Sequence, residues 1–163
     1  MCVFTNCAEV SLYLNGKEQG TSKVARNRAE WTIPFEPGEL VAQAEANGSL
    51  ISSRVCTSGV PAGIILEDVT PQQAKDALIF NIELVDAHLV HVPDDDRLLH
   101  FTVEGGEVWG VGNGDPNGQQ SDVASEITTF NGHCQLIVRA KEDNVTVTVE
   151  SPGLPTQSCT VVF

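Results

Sequence analysis

Apolar and polar residues alternate with a period of two along most of this chain. In residues 9–14, Glu-Val-Ser-Leu-Tyr-Leu, the apolar side chains of Val10, Leu12 and Leu14 fall on one face. That is the period of a strand with one buried side. Residues 78–85 do the same over a longer run, with Leu78, Phe80, Ile82 and Leu84 on the face expected to meet the core. Shorter runs predict strands at 30–35, 40–46, 50–56, 63–66, 98–103, 107–111, 126–130, 134–140, 144–149 and 157–162. Pro34 places the 30–35 strand at an edge, because proline cannot donate to a ladder. Asn-Gly, the strongest short hairpin signal, begins at residues 15, 47, 113, 117 and 131. Gln72 to Asp76 fits one helical turn or a turn between strands, and no stretch sustains a helical period. The chain is therefore expected to be all-β and antiparallel.

The segment Thr57-Ser-Gly-Val-Pro61 interrupts the pattern with turn residues. Charge changes at the same place. Residues 1–60 hold six acids and five bases, whereas residues 61–163 hold sixteen acids and four bases. Two tandem immunoglobulin-like β-sandwich domains follow, at 1–60 and 61–163. The net charge of −13 argues against nucleic acid as a partner, since phosphate contacts require lysine and arginine. No apolar run approaches the ~20 residues of a membrane helix. Met1 leads directly into Val3-Phe4, with no basic start or apolar leader, so the protein is expected either to be cytosolic or, the preferred reading, to be an excised part of a longer one. The cysteines Cys2, Cys7, Cys56, Cys134 and Cys159 are odd in number and lack zinc spacing. No disulfide is expected. Cys134 and Cys159 share faces with apolar neighbours and read as small buried hydrophobes.

The stretch from Phe101 to Asp122 carries the densest backbone specification. It reads as strand, Gly-Gly turn and strand, followed by a loop holding Gly112, Asn113-Gly114 and Asp115-Pro116. A loop shaped this closely often presents side chains at a fixed place. Trp109, Asn113 and Asp115 are the candidate substrate-binding residues, with Asp115 alternatively capping its own turn. Trp109 is an aromatic able to stack on a sugar ring, whereas Trp31 is expected in the core. Asp115 to Glu126 imitates a calcium loop at five oxygen-bearing positions, but its glycine and ninth position do not fit and no helices flank it. His88 and His91 lie three apart near a predicted loop, short of the three ligands a metal needs. No metal or cofactor is expected. No G-x-S-x-G elbow accompanies the histidines. A neighbouring Cys134–His133 pair would point to opposite faces of its strand. Glu104, Glu107 and Asp94 to Asp96 read as solvated acids.

Two segments of the first half carry a family resemblance: Phe4-Thr-Asn-Cys-Ala-Glu-Val-Ser-Leu-Tyr-Leu-Asn-Gly-Lys17 and Trp31-Thr-Ile-Pro-Phe-Glu-Pro-Gly-Glu-Leu40. They resemble the module that follows the barrel in bacterial glycoside hydrolase family 2 enzymes. Leu78 to Ala87, Phe101 to Glu104, Gly110 to Pro116 and Phe130-Asn-Gly132 resemble the final immunoglobulin-like domain of the same enzymes. The resemblance covers nearly the whole chain, in the family's order. It implies a first domain whose earliest strand precedes residue 1. It also implies a bacterial, periplasmic or extracellular parent, and a non-catalytic role beside the catalytic barrel domain of a β-galactosidase-like glycosidase, with carbohydrate as a further partner. The alternative is an independent carbohydrate-binding or adhesin-type tandem. The family's catalytic glutamates lie on the barrel, the acid after an asparagine, and no Asn-Glu dipeptide occurs here.

Overall fold

The structure, a computed structural model, describes residues 1–74 and 76–162. Among them all regular elements are strands, and every ladder is antiparallel. The chain divides into two compact units, Met1–Thr57 and Ser58–Phe163.

The first unit holds β1 (Cys2–Phe4), β2 (Glu9–Leu14), β3 (Lys17–Lys23), β4 (Arg28–Glu30), β5 (Glu39–Ala46) and β6 (Ser49–Cys56). Four of these form a sheet in the order β3-β2-β5-β6, and β1 pairs with β4. Val10, Leu12 and Leu14 of β2 are buried, as the alternation requires, and so is Ala29 of β4. Both expected hairpins are present. Asn15 and Gly16 join β2 to β3, and Asn47 and Gly48 join β5 to β6, all four with positive φ. That pair of left-handed residues is the primed turn whose twist matches its strands.

Two expectations here are corrected. Residues 31–36 form no strand; only Arg28–Glu30 pairs, with β1, and Trp31 N donates once more to Met1 O at 3.0 Å. Pro34 and Pro37 then remove the donors a longer ladder would need. Trp31 is half-buried, not enclosed, and its Nε1 donates to Gly20 O at 3.0 Å. Strand β3 is signalled only by the hairpin turn before it, because Lys-Glu-Gln-Gly-Thr-Ser-Lys lacks an apolar face. Its partner β2 supplies the pairing.

The second unit is a sandwich of two four-stranded sheets. Its strands are β7 (Gly63–Asp68), β8 (Ala77–Val85), β9 (Leu98–Glu104), β10 (Gly106–Gly112), β11 (Glu126–Thr128), β12 (His133–Ala140), β13 (Asn144–Glu150) and β14 (Gln157–Val162). One sheet runs β10-β12-β8-β7 and the other β11-β9-β13-β14. Between them lie Leu78, Phe80, Ile82 and Leu84 from β8, with Leu99, Phe101, Leu136, Val138, Val145, Val147 and Val149. A fully buried phenylalanine such as Phe80 contributes about 3–5 kcal/mol relative to alanine.

The Gly-Gly turn joins β9 to β10 as expected. The two strands belong to different sheets, so Gly105 is a crossing point between them. Its φ is +74, and a Cβ there would stand 2.0 Å from Asn144 O. The Gln72–Asp76 segment contains a turn in which Ala74 N donates to Pro71 O at 2.9 Å; Lys75 lies outside the described residues.

Candidate functional site

The outer face of the β10-β12-β8-β7 sheet carries an open groove of about 720 Å³. Strand alternation explains its lining. If Phe80, Ile82 and Leu84 point into the sandwich, then Asn81 and Glu83 must point out. The same holds for Gln135 and Ile137 on β12, and for Ile65 and Glu67 on β7, all of which line the groove.

Trp109 reaches this face by alternation, since Val108 before it packs against the core. Val108 pairs with Val138 and Gly110 with Ile137, which leaves Trp109 as the extra residue. That bulge lets Val111 face the core as Val108 does. Trp109 is 52% exposed, and Arg139 Cζ lies 5.6 Å from the ring centroid, within reach of a cation–π contact. Gly110 and Gly112 bring only backbone to the groove beside it. Gln135 Nε2 donates to Asn81 Oδ1 at 3.0 Å, so the floor is carboxamide and carboxylate beside one aromatic plate. An aromatic face flanked by planar polar groups can bind a ring that is apolar on its face and hydroxylated at its rim.

The three sequence candidates separate. Trp109 and Asn113 line the groove. Asn113 also organises the loop: Nδ2 donates to Thr128 O at 2.8 Å and Oδ1 accepts from Asp115 N at 3.0 Å. Asp115 does not line the groove. Its Oδ1 accepts from Asn117 N at 2.8 Å, the self-capping geometry of an aspartate turn. The loop is pinned further by Val111 N donating to Asp122 O at 2.8 Å and by Gln120, which bonds Thr128 twice. Glu126, at the end of the calcium-like spacing, sits instead on β11 with Oε2 3.1 Å from His100 Nδ1.

Sequence reasoning missed a second cluster at one end of the groove. His133 pairs in register with Glu83 across β12 and β8, and His91 stacks on His133 with ring centroids 4.0 Å apart. His91 comes from the segment after β8, which folds back so that His91 bridges Val85 and Val92 N donates to Leu84 O. Asp86 shapes that segment. Its carboxylate accepts from Gly59 N at 2.7 Å, His88 N at 2.8 Å and Val90 N at 2.9 Å. These donors, Gly59 N first and then Val90 N, hold the Asp86 carboxyl below the usual carboxylate range. Burial pulls His133 below the ordinary imidazole value, and neighbouring His91 adds to the effect. The sequence signals for this cluster are His91, weighed there with His88, and the outward parity of Glu83; strand register supplies the rest. His88 takes no part in it.

The five cysteines carry free thiols. Cys134 faces the core, and burial pushes its thiol up to about 12.

Residues 67–160 match the family described as glycoside hydrolase family 2 C-terminal domain 5. The chain belongs to that family. Residues 1–52 match a domain of unknown function (DUF4982). Among proteins similar to this glycoside hydrolase family 2 region is a beta-galactosidase of Bacteroides ovatus. It is 30% identical over 162 residues, which cover 94% of this chain and 19% of the relative. A beta-glucuronidase of Formosa agariphila is 27% identical, over 99% of this chain and 17% of its own length. A solved glycosyl hydrolase family 2 member from Bacteroides cellulosilyticus superposes on 99% of this chain and 24% of its own, with a TM-score of 0.89 and 28% identity. The chain thus spans about a fifth of the length of the curated relatives it matches.

Proposed function

We propose that this chain acts as the non-catalytic C-terminal region of a family 2 β-glycosidase, braces the catalytic barrel, and presents the Trp109 groove to that barrel or to carbohydrate. The observation that carries the reading is the pattern of coverage: similarity runs through almost all of this chain yet touches about a fifth of each larger glycosidase. The acids on the chain support it. Retaining hydrolysis needs a carboxylate pair ~5 Å apart, one held protonated. Here Glu107 pairs with Lys141 at 2.6 Å and is pulled down by it, Asp95 pairs with Arg97, Glu39 pairs with Arg54, and Asp86 caps backbone. These are structural assignments for carboxylates, not those of a proton donor. The parent is placed by this reading in the periplasm or outside a bacterial cell.

Two measurements test the proposal. The isolated chain should hydrolyse aryl β-glycosides at the buffer rate. Within the larger polypeptide, Trp109→Ala should lower kcat/KM or loosen association with the barrel, and Asp115→Ala should act only through loop order. Turnover by the chain alone, or Trp109→Ala without effect on either readout, overturns it. Saturable binding of the isolated chain to a glycan array would instead favour an independent carbohydrate-binding module.

A further inference from the structure

We infer that Glu83, His91 and His133 form a binding site for one divalent cation of the zinc type. Each offers a ligand atom, and these atoms all lie within 4.8 Å of one another. Two imidazole nitrogens and one carboxylate oxygen are a donor set that zinc takes, with a fourth position left open. Harder ions such as magnesium and calcium prefer all-oxygen shells.

The backbone holds the three donors near one another independently of any ion. Glu83 and His133 are cross-strand partners. His91 is brought in by the fold-back after β8, and the close approach depends on Gly132. At φ +72, Gly132 completes the tight turn with Asn131, and a Cβ there would stand 2.1 Å from Val92 O and 2.9 Å from His91 Cε1. The approach therefore requires glycine. Asp86 fixes the other side of the segment through its three backbone acceptances.

The simpler account is a His–Glu ion pair that merely pins the segment. One observation argues against it. His91 Nδ1 is buried and lies 2.9 Å from Glu83 Oε1, yet it makes no hydrogen bond. A buried ring nitrogen close to an acceptor and misaligned with it has its polar requirement unmet. A cation between the two would meet it. Tetrahedral zinc, with bonds of about 2.0–2.2 Å, sets its donors roughly 3.3–3.5 Å apart. Rotation of the partly exposed His91 and Glu83 side chains covers the difference. The His133 ring must also tilt out of its stack, because near-parallel rings cannot aim two in-plane lone pairs at one ion. Cys134 follows His133 but faces the core, so thiolate is not part of the set. Glu83 and His133 also line the groove, so the open fourth position faces it.

The test uses the whole chain with its thiols kept reduced. Calorimetric titration with Zn²⁺ should give one site per chain that Mg²⁺ does not compete for. In NMR spectra, Zn²⁺ should shift the ring resonances of His91 and His133 and leave those of His88 and His100 in place. Glu83→Gln and His133→Ala should each weaken binding by about tenfold or more, since even lost outer-shell partners cost that much. His88→Ala should bind as the parent does. Co²⁺ should give the visible bands of a low-coordinate site without thiolate charge transfer. Absence of saturable binding, unmoved His91 and His133 resonances, or a site lost on replacing Cys2, Cys7 and Cys56 by serine instead, would each overturn the assignment. The resonance shifts need no variant, so they decide the matter even if a substitution fails to fold.

Discussion

Asp86 is nearly inaccessible, yet it is a charged residue with three backbone donors around it. A carboxylate in that position behaves as a small acceptor template for the turn, and its charged form is the one the donors stabilise. The pH dependence follows in sign. An unfolded aspartate titrates near ~3.9, and the folded one titrates lower. The contribution is therefore present above about pH 4 and lost as pH falls through the folded value. Asp86→Asn should be less stable than the parent at pH 7, and the gap should close in acid. Urea midpoints at pH 7 and below pH 4 measure this; a constant gap would contradict it. His133 runs along the same axis for a different reason. Its folded value is lowered, so the unfolded chain gains a proton first, and stability associated with this ring is complete above about pH 6.5 and declines below it.

At the scale of elements, nearly equal φ angles carry different costs. Gly105 and Gly114 have φ of +74 and +77, but a Cβ at Gly114 meets nothing within 4 Å, whereas one at Gly105 meets a backbone carbonyl at 2.0 Å. Gly114→Ala should cost about 1–2 kcal/mol, the left-handed penalty alone. Gly105→Ala should cost clearly more, because β13 must move where the chain crosses between sheets. Chemical denaturation of the two variants gives the comparison, and equal costs would refute it. The elements also show what was readable beforehand. Strands β2 and β8 carry clean alternation and fold as expected. Strand β3 has no apolar face and forms because β2 offers an edge. The 30–35 run has the right side chains but the wrong donors, so two prolines overrule its pattern. The Trp109 groove was half legible: the loop's glycines and asparagines marked the place, whereas the bulge that keeps both Val108 and Val111 on the core side is a property of pairing with β12. The grouping of Glu83, His91 and His133 was not legible, since they lie on three segments that only register and a fold-back bring together.

For the whole molecule, charge is the dominant surface property. The net charge is −13, and sixteen of the acids fall in the second half against four bases. Such a surface repels itself, and added salt screens that repulsion over a Debye length of ~10 Å at 0.1 M. The melting temperature should therefore rise as sodium chloride increases from low to physiological concentration. A fall would mean that the local pairs, such as Glu107–Lys141 and Asp95–Arg97, outweigh the global repulsion.

The free thiols turn this architecture into a chemical clock. Cys56 is exposed, Cys2, Cys7 and Cys159 are partly covered, and Cys134 is enclosed between the sheets. With its thiol near 12, Cys134 is ionised in only about one molecule in ten thousand at pH 8 even before access is considered. An alkylating reagent can reach it only when β12 leaves its neighbours. The order in which the five sulfurs react thus dates the opening of the fold, from the bare edge strand of the first unit to the enclosed β12 of the second.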